Sequence, residues 1–175
     1  MSERQAQVET ASGLARILIE EPDGAPSFLL ALTHGAGGGV DTPDLLAVRD
    51  AALRLGGVVA RIIQPYRVRG ARAPGSVARQ DAAWVEIIPA LRDRPLAGSA
   101  EPLARGQDGL LPRGEERKLP LVQGGRSNGA RVACRTAAAV DAVAVIALAF
   151  PLRPPGRPDR SRAAELRIPA GSCSS

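Results

Sequence analysis

Apolar residues in this chain gather into short runs separated by longer mixed stretches. Residues 14–20 have the β-rich character of an early strand, closed by turn chemistry at Glu21-Pro22-Asp23-Gly24. Residues 28–33 are almost continuously apolar, as expected of a strand covered on both faces. A helix is expected from Pro43, with Thr42 as N-cap and Pro43 at the first position. Its apolar positions are Leu45, Leu46, Val48, Ala52, Leu53 and Leu55, and Gly56-Gly57 stops it. The run 58–63 is the next strand, and Pro65, Gly70, Pro74 and Gly75 mark a loop. Residues 80–88 read as a second helix that either extends to Arg92 or is ended or kinked by Pro89. Residues 93–118 show no period and read as a surface insertion loop, while residues 1–11 are polar and read as frayed. A strand at 119–124, a helix of small residues from Ala130 to Val140, an uncharged strand at 142–150 and a short helix at 161–166 complete the series. Strand–helix alternation of this kind argues for one α/β domain with a mostly parallel sheet and helices on both faces.

Composition narrows the function classes. The 175 residues are 45% hydrophobic but only 2% aromatic, so the core is built from Ala, Val, Leu and Ile. Lys118 is the single lysine among 23 basic residues, a bias toward arginine that points to a GC-rich bacterial genome. The net charge of +5 raises nucleic acid as a partner, but the arginines are scattered and almost no aromatics are present to stack on bases. A solvated basic surface and no nucleic-acid partner are therefore expected. Cys134 and Cys173 are too few for a disulfide framework or a zinc site, so no metal is expected. No apolar run approaches the ~18 residues of a membrane span, and the N-terminus lacks an apolar leader core. The expectation is a cytoplasmic protein without a membrane partner or cofactor.

The stretch with the most chemistry in it runs from Leu119 to Arg131. There Gly125-Arg126-Ser127-Asn128-Gly129 fits G-x-S-x-G, the nucleophile elbow, in which serine sits on a strained strand-to-helix turn with its hydroxyl exposed. A Gly-rich turn of this kind is also common as a purely structural device. The other glycine-rich turn, His34-Gly35-Ala36-Gly37-Gly38-Gly39, follows a buried strand and leaves backbone N–H groups free for an anion. A phosphate loop would place Lys and then Ser or Thr after the glycines, where this chain has Val40-Asp41-Thr42. A backbone oxyanion donor of the HG type fits better, although nucleotide binding at this turn stays open.

Together these motifs resemble the α/β-hydrolase superfamily. Within it they are similar to the small branch related to testis-expressed protein thirty and the dienelactone-hydrolase-like proteins. The anchors are residues 33–37, Gln64-Pro65-Tyr66-Arg67, Asp81-Ala82-Ala83-Trp84, residues 124–135 and Phe150–Gly156. The resemblance covers roughly residues 28 to 168 and implies a three-layer α/β sandwich. It implies further that Ser127 attacks the carbonyl of an ester or related small acyl substrate. The backbone N–H groups of Ala36 and Asn128 would hold the oxyanion, with Gly35 and His34 as supporting residues of that turn.

The resemblance also implies an acid and then a histidine after the serine. This chain has one histidine, His34, upstream of Ser127, and its last residues read Ile168-Pro169-Ala170-Gly171-Ser172-Cys173-Ser174-Ser175. That tail is unlike a strand, and the expectation is a chain truncated at the C-terminus and lacking the last strands, as a frameshift would leave it. Asp159, the nearest downstream carboxylate, reads as a cap or solvated charge rather than the acid, and His34 as a structural residue of the oxyanion turn rather than a stand-in base. Hydrolase activity is accordingly expected to be impaired, with a non-enzymatic interaction module on the same fold as the alternative. The strand 142–150 would then form a hydrophobic edge prone to self-association.

Overall fold

The computed structural model describes residues 3–93 and 118–166. Six strands form one sheet: β1 (Glu3–Thr10), β2 (Gly13–Glu20), β3 (Phe28–Thr33), β4 (Gly57–Ile63), β5 (Leu121–Arg126) and β6 (Ala142–Leu148). Their spatial order is β1-β2-β4-β3-β5-β6. Strands β4, β3, β5 and β6 run parallel, while β2 joins β4 antiparallel and carries β1 as an antiparallel hairpin partner. The helices are α1 (Pro43–Arg54), the single turn α2 (Pro65–Val68), α3 (Val77–Arg92) and α4 (Asn128–Thr136).

Side chains alternate across the strands, so each face of the sheet has its own core. Leu30, Leu32 and Val59 pack with Leu45, Ala52 and Leu53 of α1 on one face. Ile17, Ile19, Leu29, Val58 and Ile62 pack with Trp84, Ile87, Ile88 and Val132 of α3 and α4 on the other. The expected mostly parallel sheet with helices on both faces is what the chain adopts.

The N-terminal stretch corrects the sequence reading. Residues 3–10 are ordered strand, not frayed chain. Their inward positions are Ala6, Val8 and Thr10, too small and too polar in sum to announce a strand, yet buried over α3. Thr10 closes the hairpin by donating its hydroxyl to the Gly13 carbonyl at 2.7 Å while accepting the Ser12 amide at 3.1 Å.

Other boundaries move by a few residues. Helix α3 starts at Val77, where the Ser76 hydroxyl accepts the Arg79 amide, and passes through Pro89 to Arg92. The loop after β4 contains α2. The helix after the motif strand ends at Thr136, and a 3-10 turn over Ala138–Val140 replaces its expected last turn. Thr42 occupies the N-cap of α1 without capping it, because its hydroxyl donates to Asp44 Oδ1 at 2.6 Å. Strand β6 stops at Leu148, and residues 163–166 form a 3-10 turn. Residues 94–117 of the expected insertion loop and the tail from residue 167 lie outside the described residues.

Charge is also buried. Arg61, on β4, is 3% exposed and meets carboxylates from three segments: Glu20 on β2, Glu3 on β1 and Asp41 after β3. A cation so placed is tolerated only when each N–H finds an acceptor.

Candidate active site

Strand β5 ends at Arg126 and helix α4 begins at Asn128, so Ser127 alone makes the turn. Its backbone is at φ 54°, ψ −109°, a left-handed φ that costs a residue with a Cβ roughly 1–3 kcal/mol. Three contacts hold it there. The Ser127 amide donates to the Leu148 carbonyl of β6 at 2.8 Å. A Cβ on Gly125 would lie 2.7 Å from the Thr33 carbonyl oxygen, and one on Gly129 2.6 Å from that of His34. The two motif glycines thus let α4 and β5 press against the end of β3, which is the close approach expected of glycine here.

The second glycine-rich turn lies alongside. Strands β3 and β5 are hydrogen-bonded neighbours with Thr33 opposite Gly125, so both chains leave the sheet at the same end. A Cβ built on Gly35 would sit 3.4 Å from Ser127 Cβ. Ser127 is half-buried, and so are Ala36 and Asn128. Among the described residues, neither the Ala36 nor the Asn128 backbone amide donates to another group. The Asn128 side chain is tied instead to Gln80 of α3, whose Oε1 accepts its amide at 2.6 Å.

His34 is fully buried behind this turn. Its Nε2 accepts the Gln64 backbone N–H at 3.1 Å, so the proton is on Nδ1, which donates to the Gly35 carbonyl at 2.8 Å. The Tyr66 ring meets the imidazole edge-on at a centroid distance of 5.6 Å, and its hydroxyl lies 3.5 Å from both Nδ1 and the Gly35 oxygen. Burial pushes the His34 proton affinity below its ordinary value, and the positive charge of Arg67 acts in the same sense. Burial likewise pushes the Tyr66 phenol up to about 12. This neutral imidazole has both nitrogens engaged and shapes the turn at Gly35.

Downstream of the serine, Asp159 is exposed and has no ion pair among the described residues. Glu165, further on, receives Arg131 of α4 in a two-bonded fork at 2.8 Å and also Arg135 at 3.2 Å. These arginines hold its carboxyl below the usual range against the opposing effect of burial. Among the described residues no group of three or more His, Cys, Asp or Glu is arranged to hold a metal ion, and no helix is long and apolar enough to cross a membrane.

Three neighbours of the site had no role assigned from the sequence. Arg126 reaches Asp44 of α1 with its Nε at 2.8 Å. Gln80 orients Asn128, and Tyr66 flanks His34. Each lies thirty or more positions from its partner, beyond any local spacing rule. A cavity of about 690 Å³ opens beside Gln64, Tyr66 and Gln80 at the carboxyl end of β4. Ser127 does not line it, and the contact between them runs through Gln80 and Asn128.

Known proteins of this shape share the architecture. An α/β serine hydrolase without a lid from Xanthomonas campestris superposes with a TM-score of 0.61 at 18% identity, over 87% of this chain and 63% of its own. Dienelactone hydrolase from Anabaena variabilis gives 0.59 at 17% identity, over 83% of this chain and 62% of its own. An α/β serine hydrolase homologue from Coxiella burnetii gives 0.58 at 16%, over 87% and 65%. This chain therefore spans less than two thirds of the length of each. No curated protein sequence matches it. The sequence model described as the alpha/beta hydrolase domain matches residues 26–171, a stretch that holds both glycine-rich turns and all four parallel strands. The chain belongs to the alpha/beta hydrolase family.

Proposed function

We propose that this chain is a serine hydrolase of an ester or related acyl substrate, with Ser127 as the nucleophile. The observation that carries the reading is the Ser127 backbone at φ 54°, a strained single-residue turn held open toward Gly35. Strain of this kind persists only where the surroundings over-determine it, and it collects at sites that use it. The Ser127 oxygen attacks the carbonyl carbon. The undonated amides of Ala36 and Asn128 take the negative charge that builds on the carbonyl oxygen. Losing one such donor typically costs about 10²- to 10³-fold in rate.

The serine proton needs an acceptor. The one imidazole of this chain is committed to Gln64 and Gly35, so turnover by the chain alone is slow. Loss of the base in a serine triad costs about 10⁶-fold. A second reading, a non-enzymatic interaction module, draws on the same engaged His34. A fluorophosphonate probe tests the choice. Covalent labelling that disappears in Ser127→Ala supports a nucleophile, and no labelling of the folded chain refutes it. Cys134, a free buried thiol, suits the reducing cytoplasm we infer for the protein.

A further inference from the structure

Arg126 comes immediately before Ser127, and its guanidinium is positioned by groups that leave most of it unused. Its Nε donates to Asp44 Oδ2 at 2.8 Å, while Asp44 Oδ1 is filled by the Thr42 hydroxyl at 2.6 Å and the Leu45 amide at 3.0 Å. Asp44 lies in the first turn of α1, where the helix dipole already compensates a negative charge. The carboxylate thus already accepts three hydrogen bonds. Among the described residues, Arg126 Nη1 and Nη2 have no acceptor. Nη1 is 4.0 Å from where a Cβ on Gly35 would be, and Ser127 Cβ is 3.4 Å from that same point. The free edge of the guanidinium therefore overlooks the turn on which the reacting carbonyl would rest. Its side chain is 43% exposed, open to a ligand. A second cation, Arg67, acts on both His34 and Tyr66 behind that turn.

We propose that Arg126 is a specificity-determining residue that selects acyl substrates carrying a second, ionised carboxylate a short distance from the reacting carbonyl. The inference rests on the reading of Ser127 as nucleophile. Two parallel N–H donors match the two oxygens of a carboxylate, and the fixed Asp44 contact holds the fork in place before the ligand arrives. A neutral ester leaves those donors to water. Ester length is limited by the closeness of Arg126 to Gly35, which favours half-esters of short dicarboxylic acids.

Binding to the full chain carrying Ser127→Ala separates recognition from chemistry. Monoethyl succinate and diethyl succinate are titrated by calorimetry or by chemical shift. The expected result is about tenfold tighter binding of the monoanion, a preference that weakens with added salt. Arg126→Gln should abolish the preference, and Arg126→Lys, which keeps the charge and the fold but not the fork, should retain only part of it. Equal affinity for the two esters, no measurable binding of either, or a preference that survives in Arg126→Gln overturns the proposal. Fluorophosphonate labelling of the unsubstituted chain reports on Ser127 independently, so the two ideas fail in different measurements.

Discussion

The amide of Ser127 donates to the carbonyl of Leu148 across the end of the sheet at 2.8 Å. That bond makes the last residue of β6 part of the elbow. Gly124 reinforces the arrangement, since a Cβ there would meet the Ile146 carbonyl oxygen at 2.5 Å. The serine is bent by its neighbours, and the bend stores energy.

Replacing Ser127 with glycine should release that energy. Glycine adopts φ 54° without the Cβ penalty, so Ser127→Gly is expected to stabilise the fold by roughly 1 kcal/mol while abolishing probe labelling. Urea unfolding of the two forms checks it. A variant no more stable than the parent would mean the turn is relaxed.

His34 makes stability depend on pH. Its proton affinity is lowered in the folded protein, so below the unfolded value of 6.5 the unfolded chain binds a proton that the folded chain refuses. Stability is fully present above about pH 6.5 and declines as pH falls toward the folded value. His34 is the only histidine, so His34→Gln should flatten the denaturation midpoint between pH 5 and 7. A slope unchanged in that variant would assign the effect elsewhere.

Arg61 binds three segments through charge. Removing it takes away one of the two arginines on Glu20, which is 7% exposed and keeps Arg49 at 3.2 Å, so Arg61→Ala should cost about 2–3 kcal/mol in urea unfolding. The double variant Arg61→Met with Glu20→Gln should recover part of the loss, because the buried carboxylate loses its charge together with its buried partner while the partly exposed Arg49 turns to water. A single variant of near-parental stability would show that water already screens the cluster.

Strand β6 is the outer strand on its side of the sheet among the described residues. It has no charged residue, and Val143 is 69% exposed. We propose that a second copy of the chain pairs with it, since an uncharged strand meets no like-charge penalty against itself. Light scattering should then show concentration-dependent dimers that Val143→Lys suppresses. A monomer at all concentrations sinks the idea.

The parallel core was legible because its strands are short apolar runs closed by glycine or proline. Phe28–Thr33 was bounded correctly by the sequence alone. The sharp turn at Ser127 was legible from spacing, since strand, serine and helix are adjacent in the chain. What escaped was set by distant partners. Strand β1 owes its order to β2 and α3 rather than to its own small inward residues. The Trp84 indole donates to Gln123 at 2.7 Å, and Gln123 in turn donates to the Ala133 carbonyl, an alignment of α3, β5 and α4 that no local pattern encodes. The stop of α4 at Thr136 was hidden in a run of alanines, which favours helix at every position.

The oxygen of Thr33 has a final consequence. A Cβ on either Gly125 or Gly129 would come within 2.7 Å of it, so one atom of β3 is wedged between two links of the neighbouring chain. Tolerance at that wedge is smaller than a methyl group. The turn at Ser127 is therefore shaped by the backbone of a neighbouring strand, and any sideways slip of that strand would displace the serine without touching it.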